Sequence, residues 1–265
     1  MLGAIIGDIV GSRFEFNNHR STEFELFHKD CSYTDDTICT IAVAEACIHN
    51  TNFTDSLLYW CRKYPNPKGG YGGSFNQWVF SPYPEPYNSF GNGSAMRVSP
   101  VAWTNNELRE VIRLANESAW VTHDHPEGIK GAQCIAYAIW HLKFGGGAGK
   151  KWIKSMAETN YGYNFDLTCD QIRKMNRFDE TCMVTVPQAI QCFSESHDFE
   201  SAIRLAVSIG GDSDTIAAIT GSLAEAAYGI PEWMVEKAMT YLPDDMKEVI
   251  NQFKIKFNYG KLYNV

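Results

Sequence analysis

The sequence contains no C-x-x-C pair. Its 8 cysteines are Cys31, Cys39, Cys47, Cys61, Cys134, Cys169, Cys182 and Cys192. Most sit in apolar, helix-like runs, where Cys behaves as a small buried hydrophobe. A thiolate zinc site is therefore not expected. Basic charge is also in deficit: 23 Lys and Arg face 31 Asp and Glu, a net charge of -8. That sign argues against nucleic acid or an anionic membrane surface as partner, since both reward basic proteins. No apolar run is long enough to cross a bilayer. Residues 1–12 are apolar, but Asp8 interrupts them and no basic leader precedes them. No signal peptide is expected, and the default compartment is a reducing cytoplasm. No apolar/polar alternation is sustained, so the chain offers no sheet, and no internal repeat is visible.

What remains is a chain of 265 residues, 45% hydrophobic and 20% charged, ample for a sizeable core. We read it as one all-α domain over residues 1–265. Gly3, Gly7 and Gly11 recur every fourth residue in the first apolar run, which predicts a helix lying very close to a neighbour. Helical spacing is expected from the acidic cluster at 34–37 to about His49, then over Ser56–Tyr64, Leu108–Trp120 and Ile129–Lys143. Gly145-Gly146-Gly147 reads as a break. Residues 158–182 show no period. Phe199–Ile209 is amphipathic, and Ile216, Ile219, Leu223 and Ala226 continue a helix beyond Gly210-Gly211. Two more helical stretches follow Pro231, the last with Met246, Val249, Ile250, Phe253 and Phe257 on one face.

Between Pro65 and Pro100 the composition changes to Gly, Pro, Asn and Ser, which predicts a long run of turns with exposed backbone. A flexible linker is one reading. Trp78, Phe80, Tyr83, Tyr87 and Phe90 speak against an unpacked segment, and long loops in compact domains are more often functional than idle. Gly69-Gly70-Tyr71-Gly72-Gly73-Ser74 fits neither common phosphate-loop pattern, although a backbone cradle for phosphate needs no fixed motif.

The chemistry concentrates in two acidic clusters, Thr34-Asp35-Asp36-Thr37 and Asp212-Ser213-Asp214-Thr215. Each opens a helix-like run. Taken singly, each is explained by an acidic residue at a helix N-terminus. The second lacks the Gly and the terminal Glu of an EF-hand loop. Taken together, they supply four carboxylates and several hydroxyls, the oxygen donors that hard divalent cations accept. Glu15, by itself, reads as a loop acid. His123, beside Asp124-His125-Pro126, reads by itself as a cap or a space-filler.

Read in order, several segments together resemble the ADP-ribosylglycohydrolase family, which includes the dinitrogenase-reductase-activating glycohydrolases. They are Gly7-Asp8 with Gly11 and Glu15, Thr34-Asp35-Asp36-Thr37, Gly91-Asn92-Gly93-Ser94-Ala95-Met96-Arg97, Thr122-His123 and Gly210-Gly211-Asp212-Ser213-Asp214-Thr215. The match runs from Gly3 to about Gly229. The resemblance implies a compact all-α fold with a cleft holding two divalent cations, Mg²⁺ or Mn²⁺. The implied metal ligands are Thr34, Asp35, Asp36, Asp212, Asp214 and Thr215. The implied catalytic acids are Glu15, near the scissile bond, with Asp35 and Asp36. The ADP-ribose groove would be lined by Gly70, Gly72, Ser74, Ser89, Phe90, Gly91, Asn92, Gly93 and His123. The implied activity is hydrolysis of the bond between ADP-ribose and a modified protein or small acceptor. Two alternatives use similar residues: a dinuclear-metal phosphoesterase and a non-catalytic ADP-ribose binder. Arginine, serine and small O-linked groups all remain open as acceptors.

Overall fold

The computed structural model describes residues 1–145 and 149–259. Among these the chain forms fourteen α-helices and one 3-10 turn, Ser99–Trp103, with no strand; Thr34–Lys68 and Gly91–Thr181 pair only as isolated bridges. The first seven helices are α1 (Leu2–Gly11), α2 (Asp35–His49), α3 (Phe53–Lys63), α4 (Gly73–Phe80), α5 (Gly93–Met96), α6 (Leu108–Trp120) and α7 (Pro126–Phe144). They are followed by α8 (Lys150–Tyr161), α9 (Cys169–Met175), α10 (Cys182–Glu195), α11 (Phe199–Ser208), α12 (Ser213–Tyr228), α13 (Glu232–Met239) and α14 (Asp244–Phe257). The expected all-α class is what the chain adopts.

Helices α1 and α12 form the central seam, and glycine makes it possible. A methyl group on Gly3 would lie 2.1 Å from the Gly221 carbonyl oxygen, and one on Gly7 would lie 2.0 Å from that of Ala217. On Gly11 it would meet the Asp214 Cα at 2.5 Å. No side chain fits at such separations, so the four-residue glycine spacing is the record of this contact. The far end of the seam is closed by the Gly3 N–H, which donates to Glu225 Oε2 at 3.0 Å. Both helices are buried along nearly their whole length. The start of α12 is thereby fixed against the end of α1, and the acidic clusters depend on that placement.

Helix starts follow local chemistry. The Thr34 side chain caps α2, and Asn50 ends it in the left-handed conformation (φ 52°). Pro126 occupies the first turn of α7, where its missing N–H costs nothing. Two stretches differ from expectation. Residues 65–100 are not loop throughout: they contain α4, α5 and the start of the 3-10 turn, with Phe75, Trp78 and Val79 buried. Short helices flanked by Gly and Pro leave too few turns for a period to show. Residues 158–182 hold the end of α8 and all of α9, which a Thr168/Gln171 capping box starts. Helix α10 carries Pro187 inside it, which a sequence reading treats as a break. Of the expected glycine break, Gly145 closes α7, while Gly146 and Gly147 lie outside the described residues.

Candidate active site

At the start of α2, the site is built from the layer beneath. Asp8 of α1 is fully buried and collects four donors. These are the Thr34 N–H (2.9 Å), the Thr34 hydroxyl (2.7 Å), the Thr37 N–H (3.1 Å) and the Thr37 hydroxyl. The Thr34 oxygen in turn accepts the Asp36 N–H at 3.2 Å. This network aims Asp35 and Asp36 outward from the helix end. Burial still outweighs the four donors and pushes the Asp8 carboxyl up to about 6.

The start of α12 is built differently. Gly210 and Gly211 both have positive φ (66° and 83°), so only glycine sits there without strain. Side chains satisfy the turn's backbone: Asn176 Nδ2 donates to the Gly210 carbonyl (2.9 Å) and Arg20 Nη1 to that of Ile209 (2.6 Å). Asn18 bonds both polar groups of Gly211 (2.8 and 2.9 Å). Asp212 stands at the N-cap position, yet its side chain makes no cap bond. It accepts the Asn92 amide at 2.7 Å instead.

The two starts meet. The Thr215 hydroxyl donates to Asp36 Oδ2 at 3.0 Å, across 179 residues of sequence. Carboxylate oxygens of Glu15, Asp212 and Asp214 lie within 4.8 Å of one another. Among the described residues, no Lys, Arg or His lies within 4.0 Å of Glu15, Asp35, Asp36, Asp212 or Asp214 as an ion-pair partner. Burial first, and then mutual repulsion, raises Asp35, Asp36 and Asp214 well above the usual carboxylate range. Burial also raises Asp212. Glu15 is pushed up to about 7 by burial, then by the charges of Asp212, Asp8 and Glu180. Asp36 Oδ1 is buried and has no hydrogen-bond donor among the described residues. Crowded carboxylates with an unpartnered buried oxygen and no ion-pair partner among the described residues suit hard divalent metal ions.

These groups form one wall of a cleft of about 490 Å³, a size suited to a nucleotide-like ligand. On another wall, the loop 88–93 is held to the start of α10 by backbone bonds. The Asn92 N–H donates to the Glu180 carbonyl (2.6 Å) and the Cys182 N–H to that of Phe90 (3.0 Å). His123 is buried behind this loop. Its Nδ1 lies 2.7 Å from the Thr122 hydroxyl, whose oxygen accepts Arg97 Nη2 at 2.8 Å. The direction of the Nδ1–hydroxyl bond follows the ring tautomer; when the hydroxyl donates to Nδ1, Nε2–H is the ring's donor. Burial and the Arg97 charge hold the ring neutral, far below the usual imidazole range. Nε2 sits 3.2 Å from where a methyl on Gly93 would lie, so glycine opens the path from the ring to the cleft. Opposite, the Cβ positions of Gly70, Gly72 and Gly73 meet nothing within 4 Å, and α4 begins there without a side-chain cap. Its first N–H groups are free for an anion.

Glu15, Asp35, Asp36, Asp212, Asp214 and Thr215 all line this cleft. So do Gly70, Gly72, Ser74, Ser89, Phe90, Gly91, Asn92, Gly93 and His123. Thr34 is not among the lining residues; it is 1% exposed, and its hydroxyl is engaged by Asp8 and by the Asp36 N–H. The sequence reading gave no role to Asp8, although a lone carboxylate in an apolar helix is a signal for a buried polar network. Gly69, the first residue of the glycine-rich stretch, has a φ of 81°, which strains any side chain there, and its Cβ position lies 2.6 Å from Glu15 Oε2. Phe16 is 73% exposed beside Glu15, pairs with Phe178 at 5.7 Å and lines the cleft, as does Glu180. Nothing in the local sequence marks Glu180 or Phe178.

The family model described as ADP-ribosylglycohydrolase matches residues 1–260. The chain is similar to ADP-ribosylhydrolase ARH3 of Xenopus tropicalis, at 26% identity over 86% of this chain and 86% of that protein. It is also similar to ADP-ribosylarginine hydrolase Tri1 of Pseudomonas putida, at 26% identity over 89% of this chain and 72% of that one. A solved structure described as an ADP-ribosylglycohydrolase-related protein complex superposes with a TM-score of 0.68 at 22% identity, covering 97% of both chains, which shows the shared fold.

Proposed function

The chain belongs to the ADP-ribosylglycohydrolase family, and on that premise we propose that it is a metal-dependent hydrolase cleaving the glycosidic bond between ADP-ribose and a modified protein side chain or small acceptor. The observation that carries this assignment is the meeting of two distant acidic helix starts, with Asp36 Oδ1 left unpartnered, on the wall of a glycine-lined cleft. In this assignment Asp35, Asp36, Asp212, Asp214 and Thr215 hold two divalent cations, Mg²⁺ or Mn²⁺, and Thr34 joins them when its hydroxyl turns from Asp8 to the metal. When bound, such ions supply Lewis acidity, orient ribose hydroxyls and lower the pKa of a water.

The protein's own groups do the rest. Asn92 holds one oxygen of Asp212 in place. Glu15, with its carboxyl raised to about 7 in the metal-free protein, is poised to take or return a proton as an oxocarbenium-like state forms at the anomeric carbon. Asp35 and Asp36 share the catalytic role by fixing the reacting face. Neutral His123, in its Nε2–H tautomer, donates through Nε2 to a substrate oxygen across Gly91 and Gly93. The N–H groups at the start of α4, near Gly72 and Ser74, take the diphosphate, which explains how an acidic protein binds an anionic ligand. Ser89 and the half-open ring of Phe90 border the nucleotide. We treat residues 1–265 as one functional unit, and a reducing cytoplasm suits the eight free thiols. No helix among the described residues is long and apolar enough to cross a membrane.

The test is turnover of defined arginine-, serine- and small O-linked ADP-ribose conjugates, with and without EDTA. Metal-dependent release of free ADP-ribose supports the assignment. Release of AMP or phosphate would instead indicate a dinuclear phosphoesterase, and tight ADP-ribose binding without turnover a non-catalytic binder.

A further inference from the structure

One side chain bonds both the loop that carries Glu15 and the turn that carries Asp212. Asn18 is half-buried. Its amide oxygen accepts the Gly211 N–H at 2.9 Å, and its NH₂ donates to the Gly211 carbonyl at 2.8 Å, with Ser213 Oγ at 3.3 Å. The same NH₂ reaches back to the carbonyls of Phe14 (2.9 Å) and Glu15 (3.1 Å). A single amide thus pairs with a left-handed glycine as a strand neighbour would, and ties it to the Glu15 peptide. Among the described residues, no other side-chain hydrogen bond joins the Glu15 backbone to the Gly210-Gly211 turn. Glu15 itself, Asp212 next to Gly211 and Asp214 next to Ser213 carry carboxylate oxygens that converge within 4.8 Å.

We propose that Asn18 is a positioning residue for the metal-dependent reaction: by locking the Gly211 peptide to the Glu15 peptide it sets the spacing of the Glu15, Asp212 and Asp214 carboxylates, and with it their affinity for a divalent cation. The inference rests on the metal-dependent assignment above. The chemistry is specific to an amide. Gly211 requires a donor and an acceptor side by side, and the Phe14 and Glu15 carbonyls require donors. Aspartate has the same shape and keeps the bond to the Gly211 N–H, but it turns an oxygen toward three carbonyls and adds charge to a crowded anionic site. Arg20 braces the arrangement from outside, with Nη2 3.3 Å from Asn18 Oδ1.

The decisive comparison is wild type against Asn18→Asp and Asn18→Ala, using Mn²⁺ as the probe. Two quantities are read: Mn²⁺ affinity by calorimetry, and melting temperature in chelator and in saturating Mn²⁺. Groups that orient metal ligands typically cost about 10–100-fold in metal affinity when changed. We expect a loss in that range for both variants, with a smaller Mn²⁺-induced rise in melting temperature and a chelator-treated melt close to wild type. Turnover should fall at limiting Mn²⁺ and recover in part as Mn²⁺ is raised. Wild-type Mn²⁺ affinity in the variants, with melts lowered equally in chelator and in Mn²⁺, would reduce Asn18 to a loop brace and overturn the inference alone. Absence of Mn²⁺ binding by the wild-type protein would overturn the metal assignment and this inference with it. If Asn18→Asp does not fold, Asn18→Ala, which adds no charge, decides by the same two readouts.

Discussion

At the start of α2, the Thr34 side chain caps the helix and a buried carboxylate, Asp8, gathers four donors beneath it. At the start of α12, Asp212 caps nothing, and the preceding turn is held by two amides and a guanidinium. The residue types at the two ends are the same, but the supports are opposite in charge character. The first end is organised by a fully buried anion lying under it. The second is organised by neutral or cationic groups reaching in from a half-open loop. The difference teaches where each end is vulnerable: the α2 end through burial and charge, the α12 end through loop geometry. The two are joined directly by the Thr215–Asp36 hydrogen bond, so damage at either should be felt in one shared property, divalent-ion binding.

The largest effect is expected from removing one carboxylate at each end. Asp36→Ala and Asp212→Ala should each take metal-dependent release of ADP-ribose to background, while circular dichroism shows the helices intact. Near wild-type turnover in either variant at limiting metal would mean that the two ends do not share a site.

Next in size is Glu15→Gln, which keeps shape and hydrogen-bonding reach but removes the base. Proton-transfer help of this kind is typically worth about 10²–10⁴ in rate. Single-turnover cleavage should slow by that order, with ADP-ribose affinity within a few fold by calorimetry, because the lost interaction belongs to the transition state. Unchanged single-turnover cleavage would remove Glu15 from the chemistry.

Asp8→Asn sharpens the contrast between the two supports. The amide leaves an NH₂ facing N–H and O–H donors in a fully buried place. Mismatched buried polar groups typically cost about 1–3 kcal/mol each. Asp8→Asn should therefore lower the melting temperature even in chelator, whereas Asn18→Asp should show its loss chiefly when metal is present. Equal behaviour of the two variants in chelator would erase the distinction between a core-built and a loop-built helix start.

The last expectation concerns pH dependence. Asp8 (about 6) and Glu15 (about 7) are raised in the folded, metal-free protein, and Asp35, Asp36, Asp212 and Asp214 are raised as well. Each therefore keeps its proton when folded at a pH where the unfolded chain has released it. The folded state binds more protons in that window, so metal-free stability falls as pH rises from the ordinary carboxylate range through about 7. Divalent ions replace the protons and should flatten the slope. Melts at about pH 5 and about pH 8, with chelator and with Mg²⁺, measure this; a metal-free melting temperature that rises over the interval would contradict it.

Much of this was legible in the sequence. Gly3, Gly7 and Gly11 announced a close helix pair, because only a missing Cβ tolerates such contact, and the structure supplies Gly221 and Ala217 as the opposing surface. The acidic clusters announced oxygen-donor chemistry by residue type. What stayed hidden depends on distance in space. Asp8 was visible as a misplaced charge, but not as the hub of the α2 start. Asn18, Asn176 and Glu180 lie in polar stretches where any of a dozen side chains looks alike, and only the folded chain selects them. Helices α4 and α9 escaped because they are 8 and 7 residues long, too short to display a period.

The most direct test of one site built from two helix starts is an anomalous-difference map from crystals grown with Mn²⁺. The account predicts manganese peaks on the cleft wall with ligands drawn from both helix starts, Asp35 or Asp36 on one side and Asp212 or Asp214 on the other. Manganese held by only one of the two ends, or no peak in the cleft at saturating Mn²⁺, would contradict it.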